Sequence, residues 1–197
     1  MMRFQPTAML LLASAGVDAI THPLVARTHG RTLARATNPH MGILKNIDPL
    51  LTADLLYALR SAGHGDVIAV VDANFPATST AATCVIDEPI VLAGVDCVEG
   101  MAAIGSVLPL DRFVDCPVGK MVPSEGSELP VLGSEVHEKA IAALGDSFGV
   151  QEVERFDFYS LAEDSFAIVQ CAGERRPFGC FLLTKGVVGP DGKDLMP

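Results

Sequence analysis

The stretch Val67-Ile-Ala-Val-Val71 decides the fold class of this chain. It is a continuous apolar run of mostly β-branched residues, which is typical of a strand buried on both faces of a sheet. Residues 52–62 precede it and carry leucines at helical spacing along one face, with Thr52 placed to cap the free amides. The sequence therefore predicts a helix that Gly63 ends, a polar turn and a buried core strand.

The rest of the chain alternates between helical and extended patterns. Helical spacing covers residues 95–107, before Pro109, and a second helix is predicted from Ser134 to 144, after a loop at 123–133 that is rich in Pro, Ser and Gly. Extended segments are predicted at residues 83–92, 118–122, 152–158, 166–171 and 180–183. Because helices interleave with strands, we expect one α/β domain.

The composition favours a compact domain that associates with itself. The chain has 197 residues, of which 49% are hydrophobic and 19% charged, and its mean hydropathy is +0.36. This is more apolar than usual, so we expect apolar surface to be hidden between subunits. The apolar runs are too short for a membrane-spanning helix. A net charge of -10 without a basic cluster argues against a nucleic acid partner.

The cysteines indicate the compartment. There are five, an odd number, and none is arranged in the CxxC spacing of a zinc site or a redox pair. They are Cys84, Cys97, Cys116, Cys171 and Cys180. Scattered, unpaired thiols are typical of a reducing compartment, so we expect a cytoplasmic protein without a zinc site or redox pair built from these cysteines.

Residues 1–40 differ in composition from the rest of the chain. They hold four arginines and a single acid, whereas the remainder holds 10 basic and 23 acidic residues. A weak signal peptide, a transit peptide or an upstream stretch translated from an early start would each have this character. Met41 begins Met-Gly-Ile-Leu-Lys-Asn-Ile, a suitable native start. We therefore expect a domain at 41–197 and a disordered extension before it.

The turn Gly63-His64-Gly65-Asp66 is the first candidate for chemistry. Its two glycines allow a tight turn that leaves the imidazole uncovered. A histidine with its ordinary pKa of about 6.5 can give or take a proton at neutral pH, which acid–base catalysis requires. The same residues also fit a helix C-cap followed by a solvated turn histidine.

Asp72 and Arg155 are candidates for holding a ligand. Asp72 ends the apolar strand, at the place where open α/β sheets present binding groups, and its carboxylate could hold sugar hydroxyls. Arg155 begins Arg-Phe-Asp-Phe-Tyr159, where a guanidinium can donate to hydroxyl oxygens while Phe156 or Phe158 lines a sugar face. The alternatives are a turn carboxylate for Asp72 and a surface ion pair for Arg155.

Other polar groups do not match a familiar class of site. Glu135, His137 and Glu138 resemble a metal cluster, but neighbouring positions point to different sides of a helix, so we expect a solvated face. The loop at 173–179 lacks the lysine pattern of a phosphate-binding loop. The sequence also contains no Gly-x-Ser-x-Gly, no Cys-His-Asn order and no dinucleotide fingerprint, which argues against the common hydrolases and dehydrogenases.

Seven short motifs carry information as a set. They are Leu44-Lys-Asn-Ile-Asp-Pro-Leu-Leu51, Gly63-His-Gly-Asp66, Asp72-Ala-Asn-Phe-Pro76, Leu108-Pro-Leu-Asp111, Arg155-Phe-Asp-Phe-Tyr159, Phe166-Ala-Ile-Val169 and Gly173-Glu-Arg175 with Lys185-Gly-Val187. In order and spacing, over nearly all of residues 41–189, the set resembles the fucose mutarotase and ribose pyranase family. The second and third motifs are more similar to the fucose branch.

The resemblance implies a fold and a set of roles. The fold would be a single three-layer α/β domain with a mostly buried sheet between helices. His64 matches the family's proton donor, Asp72 and Arg155 match substrate-binding positions, and Phe178-Gly179-Cys180 matches the third substrate-binding motif. Tyr159 would be an auxiliary group. The activity implied is interconversion of the α and β anomers of a free monosaccharide, without metal or cofactor.

The resemblance leaves the sugar open. The characterised fucose enzyme has Tyr and Asn where this chain has Phe178 and Cys180, so a hydroxyl and an amide are lost. L-fucose is the expected substrate, with ribose or a six-carbon relative as the alternative. A non-catalytic sugar-binding accessory protein of an uptake system is an alternative of a different class. The family also implies a ring-shaped homo-oligomer, commonly a decamer, with sites near subunit boundaries.

Overall fold

The structure, a computed structural model, describes residues 42–145 and 148–197. The extension predicted for residues 1–40 lies outside the described residues. The helices are α1 (Ala53–Ser61), α2 (Ala77–Ala81), α3 (Cys97–Gly105), α4 (Val131–Ala142) and α5 (Arg155–Glu163). The strands are β1 (Val67–Val71), β2 (Ile90–Leu92), β3 (Val118–Val122), β4 (Val150–Glu154), β5 (Ala167–Cys171) and β6 (Phe181–Thr184). None of these helices has the length and apolar character needed to cross a membrane.

The strands of this part of the chain form one mixed sheet in the order β2-β5-β1-β6-β3-β4. β1 is parallel to β5, β5 to β2, and β3 to β4, whereas β6 runs antiparallel to both β1 and β3. The carboxyl ends of the five parallel strands therefore meet at one edge, which we call the carboxyl edge. The amino end of β6 lies there too. We call the opposite edge the amino edge.

Strand β1 is buried on both faces, as its sequence predicts. Ile68 and Val70 belong to one core, which also contains buried residues of α1, α3 and α4. Ala69 and Val71 belong to a second core, with residues of α2 and α5. The sheet thus lies between two helical layers, which confirms the three-layer α/β architecture.

Two helix starts follow directly from local sequence. The Thr52 hydroxyl accepts a hydrogen bond from the Leu55 amide at 3.2 Å, so the predicted cap of α1 is confirmed. At α3, Asp96 accepts from the Glu99 amide at 2.9 Å and the Glu99 carboxylate accepts from the Asp96 amide at 3.2 Å. This reciprocal capping box satisfies two amides that would otherwise lack partners.

The prediction of a strand at 152–158 was wrong beyond Glu154. Strand β4 ends there and α5 begins at Arg155. The Glu154 carboxylate accepts from the amides of Phe156 at 2.6 Å and Asp157 at 3.4 Å, so it caps the helix. An N-cap of this kind outweighs a short alternating pattern.

Two other predicted boundaries were also wrong. Helix α4 begins at Val131, inside the predicted loop. Ser134 therefore lies inside the helix and does not cap it, because the Pro130 carbonyl already accepts the first helical hydrogen bonds. Within residues 83–92, only Ile90–Leu92 forms a strand. The short helix α2 was not predicted, and it begins directly after Pro76.

Candidate functional site

His64 lies in the turn between α1 and β1, at the amino edge of the sheet. Gly65 has φ +85°, a conformation that residues with a side chain rarely adopt. The amide of Gly65 donates to the carbonyl of Lys185 at 2.9 Å, which ties the turn to the end of β6. The side chain of His64 is 49% exposed. The imidazole is therefore uncovered, as predicted.

A buried carboxylate holds this imidazole. Oδ2 of Asp111 lies 3.1 Å from Nε2 of His64, and the Asp111 side chain is only 4% exposed. The other carboxylate oxygen, Oδ1, accepts from the Phe113 amide at 2.9 Å. The Phe113 ring also packs edge-on against the imidazole, with centroids 5.9 Å apart. Since a carboxylate can only accept, Nε2 carries a proton and Nδ1 is the nitrogen that can serve a ligand.

Sequence reasoning assigned no role to Asp111. Asp111 is part of the motif Leu108-Pro-Leu-Asp111, but nothing in the local sequence links this carboxylate to a histidine 47 positions away. One signal in the sequence could have indicated a role for Asp111. The residue follows the apolar segment Leu108-Pro-Leu110, and an acid that is buried with such a segment requires a polar partner.

Asp72 lies at the carboxyl edge, directly after β1, as predicted. The residue is 5% exposed, and its Oδ1 accepts from the amides of Asn74 at 2.9 Å and Phe75 at 3.0 Å. Burial raises the pKa of this carboxyl above its ordinary value, against the lowering effect of the hydrogen bonds from Asn74, Cys180 and Phe75. Asp72 is thus a fixed acceptor at the end of the central strand.

Phe178, Gly179 and Cys180 enter β6 beside Asp72. Cys180 is hydrogen-bonded to the Asp72 side chain, and burial raises the pKa of its thiol well above the ordinary value. Phe178 has φ +64° although it carries a side chain. A Cβ on Gly179 would lie 2.9 Å from Cγ of Glu174, so this position leaves no room for one.

Arg155 and Tyr159 lie on α5, which starts at the same edge. The guanidinium of Arg155 is centred 4.6 Å over the Phe156 ring, and its Nε is buried without a hydrogen-bond partner in the described part of the chain. The Tyr159 ring packs against Phe75, with centroids 5.4 Å apart. Phe158 is fully buried in the core, so of the two phenylalanines considered for a sugar face, only Phe156, which is 60% exposed, remains.

The predicted site residues fall into two groups. Asp72, Arg155, Tyr159 and the segment 178–180 meet at the carboxyl edge, whereas His64 lies at the amino edge. His64 precedes β1 and Asp72 follows it, and a five-residue strand rises by about 13 Å. One monosaccharide cannot contact both ends of this strand. Within a single chain, the structure therefore brings Asp72, Arg155, Tyr159 and residues 178–180 together but does not bring His64 to them.

The predicted solvated face at Glu135, His137 and Glu138 was wrong for His137. Glu138 is exposed, but His137 is buried beneath Phe178. Val136, His137 and Ala140 share the buried side of α4. Among the described residues, no group of three histidines, cysteines or acids is arranged to hold a metal ion.

The two edges can perform different chemistry. At the amino edge, a half-exposed histidine backed by a buried carboxylate can transfer a proton. At the carboxyl edge, a buried acid, a guanidinium and aromatic rings offer acceptors, donors and apolar faces, which is the combination that a polyhydroxyl ligand requires.

Known proteins resemble this chain over most of its length. The RbsD / FucU transport protein family matches residues 45–188. A fucose mutarotase of Danio rerio is 37% identical over 157 residues, which cover 77% of this chain and 98% of the relative. A fucose mutarotase of Homo sapiens is 36% identical over 153 residues, covering 75% and 96%. The crystal structure of the fucose mutarotase from Streptococcus pneumoniae in complex with L-fucose superposes with a TM-score of 0.64 at 32% identity, covering 74% of this chain and 100% of that one.

Proposed function

The chain belongs to the RbsD / FucU transport protein family, and we propose that it is a sugar mutarotase that interconverts the α and β anomers of L-fucose. The observation that carries the proposal is the pairing of His64 with Asp111 at 3.1 Å, because it supplies the proton chemistry that anomer exchange needs. Relatives of this chain that are named fucose mutarotase match it over nearly their whole length.

Ring opening of the sugar requires two coordinated proton transfers. A proton leaves the anomeric hydroxyl while the bond between the anomeric carbon and the ring oxygen breaks, and its electron pair goes to the ring oxygen, which takes a proton. The resulting aldehyde turns about its bond to the next carbon, and the reverse steps close the ring on the other face. Only protons change place, so the reaction is redox-neutral.

We assign the proton donor role to His64. Its imidazolium gives a proton to the ring oxygen, and Asp111 holds the imidazole ring in place. A positioned acid or base contributes about 10² to 10⁴ in rate, which suits the modest barrier of hemiacetal opening. Tyr159 is the auxiliary group, placed beside the substrate-binding residues to assist at the anomeric hydroxyl.

Substrate binding is assigned to the carboxyl edge. Asp72 accepts hydrogen bonds from sugar hydroxyls, Arg155 donates to them through a guanidinium whose Nε has no partner within the described residues, and Phe178, Gly179 and Cys180 form the wall beside Asp72. The guanidinium of Arg155 stacks on the Phe156 ring at 4.6 Å, which restricts the Arg155 side chain. Less conformational entropy is therefore lost when this side chain binds the sugar.

The separation of the two edges supports an oligomeric enzyme. We propose that His64 of one subunit faces the carboxyl edge of a second copy, so that each complete site is shared by two chains. Phe113 beside His64 is 49% exposed, Val114 is 44% exposed, and Phe156 at the carboxyl edge is 60% exposed. Burial of these apolar side chains between copies would stabilise the assembly. A closed ring satisfies every such contact, and we propose the decamer that the family resemblance implies.

The sugar selectivity is set at the residues that differ from the characterised fucose enzyme. Phe178 lacks a hydroxyl and Cys180 lacks an amide, so the wall beside Asp72 is more apolar. L-fucose remains the proposed substrate because the relatives are fucose mutarotases, and the loss of the hydroxyl and the amide makes ribose or a six-carbon relative the alternative. We place the enzyme in the cytoplasm because all five cysteines are free thiols.

A non-catalytic sugar-binding protein of an uptake system is the second candidate function. The observation that favours it is the complete binding edge, which does not need His64, together with the description of the family as transport proteins. Such a protein would bind a sugar saturably and leave the rate of anomer exchange unchanged.

Saturation-transfer NMR of anomer exchange distinguishes these functions. The full chain is compared with its His64→Ala variant in L-fucose, D-ribose and D-galactose. Exchange that is accelerated by the wild type and lost in the variant, with the variant still folded by circular dichroism, supports the mutarotase and identifies its sugar. Saturable binding without faster exchange for any sugar would reject the mutarotase in favour of the binding protein.

A further inference from the structure

His137 is a buried histidine that the proposed mechanism does not use. It is 3% exposed, and its Nε2 lies 2.8 Å from the carbonyl oxygen of Phe178. Its ring also packs edge-on against Phe181, with centroids 5.7 Å apart. The side chain therefore reaches from α4 to the first residues of the substrate-binding segment.

The contacts of His137 define its protonation. A carbonyl can only accept, so Nε2 carries a proton and donates it. Nδ1 is buried and has no hydrogen-bond partner among the described residues. Burial lowers the pKa of the imidazole, and Lys120 lowers it further, against the raising effects of the Phe178 carbonyl and Glu152. His137 is thus a neutral donor rather than a proton-transferring group.

The carbonyl that His137 binds belongs to a strained residue. Phe178 has φ +64°, a conformation unfavourable for a residue with a side chain, which persists only where neighbouring groups hold it. Its oxygen also accepts from the Cys180 amide at 2.7 Å. The two donors together fix the peptide plane after Phe178.

Neighbouring carbonyls of the segment are fixed in the same way. Gly133, one turn before His137 on α4, is so close to the Pro177 carbonyl that a Cβ would lie 3.0 Å from its oxygen. The Gly179 carbonyl accepts from the Cys97 thiol at 3.0 Å, and the Cys180 carbonyl accepts from the Met121 amide at 3.0 Å. Three consecutive carbonyls, those of Phe178, Gly179 and Cys180, therefore each accept a hydrogen bond from a buried donor, and α4 supplies one of these donors through His137.

We propose that His137 is a positioning residue for sugar binding. By donating to the Phe178 carbonyl from the solvent-free side, it keeps Phe178 in its left-handed conformation and sets the segment 178–180 against Asp72. The proposal rests on the proposed function insofar as this segment binds the sugar. It concerns binding and not proton transfer, because His137 lies at the carboxyl edge and contacts the segment only through its backbone.

Three variants of the full chain test this role by the kinetics of L-fucose exchange. His137→Leu removes the donor and should raise KM on the order of tenfold while kcat stays within about twofold, because a buried acceptor loses its partner but His64 is untouched. His137→Gln places an amide NH near the position of Nε2 and should restore KM to within about threefold. Val136→Ala is the matched control, since it shortens a buried side chain on the same turn of α4 without contacting the segment, and its KM should be that of the wild type.

An unchanged KM in His137→Leu would overturn the proposal, as would an equal rise in Val136→Ala. If His137→Leu does not fold, His137→Asn replaces it, because the shorter amide lies near the position of Nδ1 and leaves the Phe178 carbonyl unpaired. Equal KM values for the Asn and Gln variants would then overturn the proposal.

A second measurement does not depend on enzyme activity. Long-range ¹H–¹⁵N correlation spectra of the wild type at neutral pH should show His137 as the neutral tautomer protonated at Nε2. Protonation at Nδ1 alone would contradict the assigned hydrogen bond even if the protein catalyses no exchange. Absence of exchange with this spectrum intact would instead reject the proposed function alone.

Discussion

Asp111 gives the exposed His64 a fixed orientation. An isolated turn histidine samples several rotamers and both tautomers, and each freedom lowers the fraction of molecules ready for proton transfer. The 3.1 Å contact with a carboxylate that is itself held by the Phe113 amide removes much of this freedom. The buried carboxylate of Asp111 therefore fixes the orientation of the His64 ring, which the exposed turn alone does not do.

Replacing Asp111 with Asn should reduce the rate of anomer exchange by about 10²-fold, since an amide can donate to Nε2 as well as accept from it and so no longer fixes the tautomer of His64. The measurement is kcat for L-fucose exchange by NMR, with circular dichroism to verify the fold. Asp115→Asn is the matched control, because Asp115 is an exposed acid of the same loop. Equal rates for the two variants would contradict the role assigned to Asp111.

The burial of Asp72 predicts a pH-dependent stability. Its pKa in the folded protein is raised above the ordinary value of 3.8, so between that value and the raised pKa the folded state binds more protons than the unfolded state. The stability contributed by this group is therefore greatest below pH 3.8 and falls as the pH rises through the raised pKa.

An Asp72→Asn variant does not undergo this loss. The difference in melting temperature between Asp72→Asn and the wild type should grow in favour of the variant as the pH rises from about 4 to about 7. Thermal unfolding at several pH values in this range measures the difference. Asp115→Asn provides the reference for an exposed acid. A difference between Asp72→Asn and wild type that is constant with pH, or that changes in the opposite direction, would contradict the raised pKa.

At the scale of elements, the end of β6 holds the loop that carries Asp111. The Asp111 amide donates to the Thr184 carbonyl at 3.0 Å, and the Gly186 amide donates to the Pro109 carbonyl at 2.8 Å. A Cβ on Gly186 would lie 2.8 Å from Cα of Asp111 and even closer to the Leu110 carbonyl. The two backbones can approach this closely only because residue 186 is glycine.

Gly186→Ala should therefore displace Asp111 and weaken its contact with His64. We expect a loss of stability of about 1 to 3 kcal/mol in urea unfolding, together with a lower kcat, since the added methyl group meets backbone that cannot move independently. Gly42→Ala is the control, because a Cβ there has open space. Wild-type kcat in Gly186→Ala would show that the loop adjusts without disturbing the histidine.

The elements that sequence could predict are those whose local signals agree. Val67–Val71 and Val118–Val122 are strands with the predicted bounds, since β-branched or apolar residues and the flanking turns indicate the same structure. The start of α5 could not be predicted from alternation, because the capping by Glu154 depends on where β4 leaves the sheet. The same holds for α4, whose start after Pro130 competes with a composition typical of loops.

At the scale of the whole molecule, the sequence proposed candidate residues but could not predict which of them lie close together. The motifs around His64, Asp72 and Arg155 marked both edges of the sheet. His64 and Asp72 lie at opposite ends of β1, and the length of this strand keeps them apart. Whether a site lies within one chain or is shared by two depends on the order of the strands in the sheet, which the motifs do not contain. The pairing of His64 with Asp111 likewise required the fold.

The most direct test of a site shared between two copies is recovery of activity in a mixed assembly. We expect His64→Ala and Asp72→Asn each to be nearly inactive at L-fucose concentrations below KM. The two variants are co-expressed in equal amounts and purified together. If each site takes His64 from one chain and Asp72 from another, random assembly gives about a quarter of the sites both wild-type residues, and NMR should show exchange at about that fraction of the wild-type rate. Exchange no faster than that of the separate variants, in an assembly shown by mass spectrometry to contain both, would contradict the shared site.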